Sequence, residues 1–370
     1  HGDSKTETRA AVRPVFGPES ALVRLDDGFR DRKAHAHAGG LGGEERVEQL
    51  SEVFFGDSRA VVRNADFDRG VIRQAGADLD GVITGAAFIQ RIDSLRKEAN
   101  IPGLSVAVVK SREIVLAAGS GFADVEEGIR ATADTAYDIA SVAKPISAVV
   151  ALRLVEAGVL DLDVPIADYS QWKEFCSAFS QQPSIFAREL RCQPSSHTLR
   201  HLLSHTATGT PGTRFSYNPI LYSWASRPIM AAADAPFSVL VDRYVFVPAG
   251  MRKSARKHRD LPLREDLGKR LAPPYRIDRS GATLRSPARP PQGDGAAGGV
   301  VTTVLDLARF DVALDQGVLI SAESRAEMMA PTLSVNGNAL PYGLGWYVQE
   351  YEGHTLVWHS GWWEDAYSAL

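Results

Sequence analysis

Strand-like runs lie at both ends of the patterned part of this chain, with helix-like runs between them. LSVAVVK (104–110) and EIVLAAGSGFA (113–123) flank Ser111-Arg112, a hairpin signal, and YGLGWYVQEY (342–351) and HTLVWHSGWWEDAYSAL (354–370) flank Glu352-Gly353. A lone two-stranded hairpin is at best marginally stable in water, so such runs must pair further or pack on helices. The arrangement predicts an α+β fold: an antiparallel sheet built from both ends of the chain and flanked by helices, plus a mostly helical lobe.

The helices follow from periodicity. AAFIQRIDSLRKEANI places Phe88, Ile92, Leu95 and Ile101 on one face, and Pro102-Gly103 stops it. Residues 145–157 are rich in Ala, Val and Leu and end at Gly158, residues 198–205 form another helix, and GAAGGVVTTVLDLARF gives a Gly-rich turn, a short apolar run and a helix. Before residue 83 no period is sustained. Residues 1–82 are expected to be a weakly ordered or partly helical extension, and 83–370 a domain with a sheet lobe (83–140 and 296–370) and a helical lobe (141–295). His35 and His37, in the extension, lack neighbours that would complete a metal site and are expected to be tail residues.

A net charge of −4 gives no basic field for a phosphate backbone, so nucleic acid is not an expected partner. No stretch approaches the roughly 20 apolar residues of a membrane span, and the signal-peptide layout is missing, which leaves a periplasmic or secreted location and a cytoplasmic one both open. Oligomeric state is not legible. The two cysteines, Cys176 and Cys192, bracket an apparent insertion loop. A bond between them would contribute about 3 kcal/mol, but two unlinked thiols are the favoured expectation.

Chemistry enters at DIASVAKPISAVVALRLVEAG (138–158). A serine hydroxyl becomes a useful nucleophile only when a base within hydrogen-bond reach takes its proton. Ser141 and Lys144 are one helical turn apart and share a face, and Pro145 suits a helix's first turn. A helix mouth and burial would both push the lysine toward its neutral form, as a base requires. The alternative is a capping serine and a lysine whose stem packs on the core. Ser-x-x-Lys also occurs at Ser94, Ser170 and Ser254, in an amphipathic charged helix, a polar loop and a basic run. Gly103-Leu-Ser105-Val-Ala107 approaches a nucleophile elbow but is followed by strand rather than helix, so Ser105 is expected to be a strand residue.

With these pieces in hand, the sequence resembles the serine β-lactamase-like family that contains class C β-lactamases, D,D-carboxypeptidases and β-lactamase-fold carboxylesterases. IPGLSVAVV, IASVAKP, LDLDVPIADY, TLRHLLSHTATG, PGTRFSYN, VPAGM, GAAGGVVTTVLDLARF, YGLGW and HSG occur in family order over roughly 95–370. The resemblance implies Ser141 as acylated nucleophile, Lys144 as its base partner, and Tyr217 as the proton shuttle to the leaving group. It puts His359, Ser360 and Gly361 where the family has Lys-Thr-Gly or His-x-Gly, and the N–H groups of Ser141 and Trp362 in the oxyanion hole. The family's Tyr-x-Asn has Pro219 at its third position here, so the asparagine's amide contact is in doubt and Asn218 is a candidate to replace it. Trp362 and Trp363 are candidate walls of an acyl pocket, with sheet packing the equal alternative. His197, His201 and His205 have a spacing that can bind zinc, but the stretch matches a structural helix of the family, and no metal or cofactor is expected. Family members continue past the position of Leu370 with further strands and a closing helix, so an apparent C-terminal truncation, or some other cover for the sheet, is expected.

The implied activity is a serine hydrolase working through an acyl-enzyme on small esters or amides, carboxylesterase-like, because a histidine in place of the lysine of Lys-Thr-Gly removes a cation that serves penicillin-type carboxylates. D,D-peptidase and β-lactamase are the alternatives within the class. A non-catalytic binding or assembly module on a degenerate hydrolase scaffold is the alternative outside it.

Overall fold

The computed structural model describes residues 85–370 except 170, 193–195, 279, 288–292, 352 and 364–365, so the expected extension 1–82 lies outside the described residues. Helix α1 (Gly85–Glu98) buries Ile92 and Leu95 and stops at Asn100, whose φ of 52° cannot continue a helix. Strands β1 (Gly103–Lys110) and β2 (Glu113–Asp124) pair antiparallel about Ser111 and Arg112, both left-handed as a tight hairpin turn needs.

Strand β3 (Ala136–Asp138) leads into the central helix α2 (Ala143–Glu156), eleven of whose fourteen residues are buried. A helix apolar on all sides belongs in a core. Around it pack Leu199, Leu202 and Leu203 of α3 (Leu199–Leu203), Leu221 and Tyr222 of α4 (Pro219–Trp224), and Leu307 and Phe310 of α5 (Val304–Asp315). Thr198 caps α3 and Thr303 caps α5, each hydroxyl accepting a backbone N–H from the first turn. β4 (Val300–Thr303) pairs with β3, and so ties the segment after 295 to the entry of α2.

The C-terminal strands β5 (Tyr347–Tyr351) and β6 (His354–Trp358) form the expected hairpin, and β7 (Ser360–Trp363) pairs with β8 (Ala366–Ala369). Among the described residues β1 pairs with β2, β5 with β6 and β7 with β8, while β3, from the N-terminal part of the expected sheet lobe, pairs with β4, from its C-terminal part. Each C-terminal strand pairs with its sequence neighbour, and β7 and β8 pack on the turn at 140–142.

The cysteine expectation is corrected. Cys176, on a helix at Trp172–Ser180, is bonded to Cys192 with their Cα atoms 5.8 Å apart. The chain returns over Ala187 and Leu190, both buried in the core, and that return brings the second thiol to the first. Among the described residues no helix is long and apolar enough to cross a membrane.

Candidate active site

Ser141 is half-buried in a 3-10 turn (Ala140–Val142) between β3 and α2. The turn is pinned at its start: Ile139 N–H donates to Val300 O at 3.0 Å, and Ala140 N–H donates to Asp138 Oδ1 at 3.2 Å. Ala140 itself has φ 48°, a left-handed conformation that costs an alanine about 1–2 kcal/mol and is held by these neighbours.

One turn on, Lys144 is fully buried. Its Nζ donates to Ser141 Oγ at 2.6 Å and to the Tyr217 hydroxyl oxygen at 2.7 Å, and lies 3.4 Å from Ala297 O. The Tyr217 hydroxyl donates to Ser141 Oγ at 2.9 Å, which closes a triangle of three side chains. Among the described residues no carboxylate lies within ion-pair distance of Lys144, and burial drives its pKa well below the usual lysine value. Burial raises that of Tyr217 well above its ordinary value, the bond to Ser141 opposing this in part. At rest a neutral amine, a phenol and a hydroxyl are in mutual contact, so no group is a buried ion until a proton moves from an oxygen to the amine.

Three segments frame the triangle. Ser147 Oγ donates to Ala296 O at 2.6 Å, and Ala296 N–H donates to Ser223 O at 3.0 Å, so the GAAGG stretch lies along α2 and presents Ala297 O to the lysine. Tyr222 donates its hydroxyl to Lys144 O at 2.9 Å. Gly345, at φ 82°, lies against the same carbonyl: a Cβ there would stand 2.9 Å from Lys144 O and 3.0 Å from the Tyr222 hydroxyl. Gly345→Ala is therefore expected to strain the backbone and push on the lysine's turn together. It should lower the melting temperature by several degrees and kcat by roughly tenfold, on thermal melts and ester kinetics.

His359 is 1% exposed. Ser360 O can only accept, so His359 Nδ1 donates to it at 2.5 Å, and Nε2 accepts from the Tyr342 hydroxyl at 2.9 Å. Burial pushes its pKa well below 6.5, so the imidazole is neutral. It stands 6.3 Å from the Tyr217 ring and 5.3 Å from that of Tyr347, inside an aromatic group with Tyr342 and Trp358. Ser360 and Gly361 begin β7, which carries the backbone of Trp362 alongside the Ser141 turn. Trp362 is half-buried, while the Trp363 side chain lies outside the described residues.

Asn218 is not arranged as the sequence suggested. Its Oδ1 accepts Leu221 N–H at 3.1 Å as the N-cap of α4, with Pro219 at the first helical position, and its Nδ2 donates to Phe186 O at 2.7 Å. The proline stands in place of the family's asparagine because the helix begins there, where a missing N–H costs nothing.

The three histidines do not converge. His197 Nε2 donates to Ala207 O, His201 Nδ1 accepts Thr198 N–H in a capping box, and His205 Nδ1 accepts Asn218 N–H. Among the described residues no three His, Cys, Asp or Glu side chains are grouped to hold a metal. The other serine signals are structural. Ser94 bonds Gln90 O, Ser254 is buried against Thr302 and Asp306, and Ser105 on β1 bonds Thr132 O and Tyr137; Ser170 lies outside the described residues. Ala297, Tyr222, Tyr342 and Tyr347 were not singled out from sequence, although GAAGG, PGTRFSYN and YGLGW mark where they fall or what they adjoin.

The chain matches the beta-lactamase family over residues 88–370. It is 26% identical over 322 residues to penicillin-binding protein 4 of Amycolatopsis lactamdurans, covering 75% of this chain and 78% of that one. It is 31% identical over 129 residues to esterase EstB of Burkholderia gladioli, a match covering 35% of this chain and 30% of the esterase. Its fold is similar to that of the D-amino acid amidase of Ochrobactrum anthropi SV3, with a TM-score of 0.58 at 22% identity, over 74% of this chain and 83% of the amidase.

Proposed function

Because the chain belongs to the beta-lactamase family, a family of serine hydrolases, we propose that it hydrolyses small esters or amides through an acyl-enzyme on Ser141. The observation that carries this reading is the fully buried Lys144, 2.6 Å from Ser141 Oγ and 2.7 Å from the Tyr217 oxygen, with no carboxylate among the described residues to hold its proton. The neutral amine takes the hydroxyl proton of Ser141 as Oγ attacks the acyl carbonyl. The oxyanion is met by the N–H groups of Ser141 and Trp362, each donor typically worth about 2.7–4 kcal/mol in acyl transfer. The proton then passes from Lys144 through Tyr217 to the departing alkoxide or amine as its bond to carbon breaks. Water adds to the acyl-enzyme with the same groups as base and acid, and returns Ser141 with its proton. Lys144 and Tyr217 titrate as a unit, so neither has a private pKa in this cycle.

His359 bears on substrate. A neutral imidazole bonded to Tyr342 and Ser360 O offers no permanent cation to a substrate carboxylate. That favours neutral esters and amides over penicillin-type or peptidyl carboxylates. The test is the intact mass of the full chain after incubation with a fluorophosphonate. One covalent phosphonyl group mapping to Ser141 supports the reading; no adduct, or an adduct on another residue, overturns it.

A further inference from the structure

Tyr217 lies in an irregular stretch before α4, where no helix or strand fixes its phenol. Both of its neighbours are held by one residue. Ser216 N–H donates to His205 O at 2.8 Å, and Asn218 N–H donates to His205 Nδ1 at 3.0 Å. The His205 ring also packs on the Tyr217 ring, centroids 4.2 Å apart and planes tilted by 39°. His205 does all three from a left-handed backbone, φ 56°, just beyond the end of α3, which turns its carbonyl and its ring toward the same loop.

The imidazole is 1% exposed and wedged between Tyr222 and Tyr342, with centroids at 5.2 and 4.9 Å. With Nδ1 accepting, Nε2 carries the hydrogen, and among the described residues Nε2 has no hydrogen-bond partner. A buried N–H without a partner costs about 1–3 kcal/mol. Phenylalanine would fill the space without that cost but could not accept the Asn218 N–H. The retained imidazole is thus accounted for by the nitrogen facing Asn218 and the ring face on Tyr217.

We propose that His205 is the positioning residue of Tyr217, setting the phenol's place between Ser141 Oγ and Lys144 Nζ by gripping the backbone on either side of it and the ring from behind. This rests on the reading of Tyr217 as proton shuttle. His205 touches neither substrate nor reacting atoms; it acts through the tyrosine.

The test is a double-mutant cycle on the full chain, with kcat and KM for p-nitrophenyl acetate measured for His205→Asn, Tyr217→Phe and the double variant. Asparagine tolerates a left-handed backbone and keeps an acceptor near Nδ1, but removes the ring. His205→Asn is expected to lower kcat by about 10²-fold with KM nearly unchanged, as misplacement of a catalytic group does. Tyr217→Phe is expected to lower it by about 10²–10⁴-fold, the worth of a positioned acid or base. The double variant should match Tyr217→Phe alone, because a positioner has nothing left to position. A double variant impaired by the product of the two single effects, or a His205→Asn chain with unchanged kcat, overturns the proposal and leaves the shuttle reading standing. Unchanged turnover in Tyr217→Phe overturns both. Should the asparagine variant fail to fold, His205→Phe, which keeps the ring and loses the acceptor, carries the same comparison.

Discussion

Ser141→Ala is expected to fold as the parent does and to lose turnover of p-nitrophenyl acetate by about 10⁴-fold or more, as removal of a nucleophile does in other acyl-transfer enzymes. The side chain is small and half-buried on a turn, and the Lys144–Tyr217 contact at 2.7 Å survives its loss, so the melting temperature should change little. With Oγ gone neither the amine nor the phenol has an atom to activate. Steady-state kinetics beside a thermal melt check this; a folded variant working within tenfold of the parent would place the nucleophile elsewhere. Alanine at Ser94 or Ser254, whose hydroxyls are engaged by Gln90 O and by Thr302 and Asp306, should leave the rate near that of the parent wherever the variant folds.

Lys144→Met is expected to lower the rate by about 10³-fold or more while raising stability at neutral pH. Burial depresses the folded-state pKa of Lys144, whereas the unfolded chain holds its proton up to about pH 10.4. Between those two values the unfolded state binds more protons, so the lysine weakens folding, by about 1.4 kcal/mol for each unit of depression. The parent's stability from this source is full above the unfolded value and is lost as pH falls toward the folded one. The advantage of the methionine variant should accordingly be largest near neutrality and shrink as pH rises toward 10. Denaturant melts of both proteins at pH 7 and pH 9.5 read this directly. An advantage that does not change between pH 7 and pH 9.5 would mean that the buried amine keeps its proton as the unfolded chain does. The same depression predicts that kcat/KM of the parent rises with pH as the amine loses its proton.

The local pieces of the fold were legible because local chemistry dictates them. Pro102-Gly103 bars the first helix from continuing, although it stops earlier, at Asn100; Gly158 ends the central helix, Ser111 and Arg112 turn a hairpin, and the all-round apolar face of 145–157 can only be a core helix. Long-range pairing is less legible: nothing in the residues of 136–138 and 300–303 says that those two strands meet. Ser-x-x-Lys recurs at Ser94, Ser170 and Ser254, so Ser141 and Lys144 stand out by the apolar helix behind them and by the ordered family motifs, and Tyr217 by the family resemblance alone. Ala297 contributes a carbonyl, which any residue has, so no residue type could announce it. Asn218 stays open in the sequence because capping and ligand binding ask for the same amide, and only the position of the helix start shows that its oxygen caps α4. The cysteines were misread because sixteen residues of separation say nothing about where two thiols point.

The left-handed alanine before the nucleophile has a consequence for inactivation. A conformation that Ala140 would not choose for itself persists only while Asp138 and Val300 hold the backbone around it. On gentle warming that grip is expected to slacken before the buried helix behind it melts. The hydroxyl would then swing out of register in a molecule still almost wholly native, so esterase activity should fade at a lower temperature than helical signal does and return on cooling.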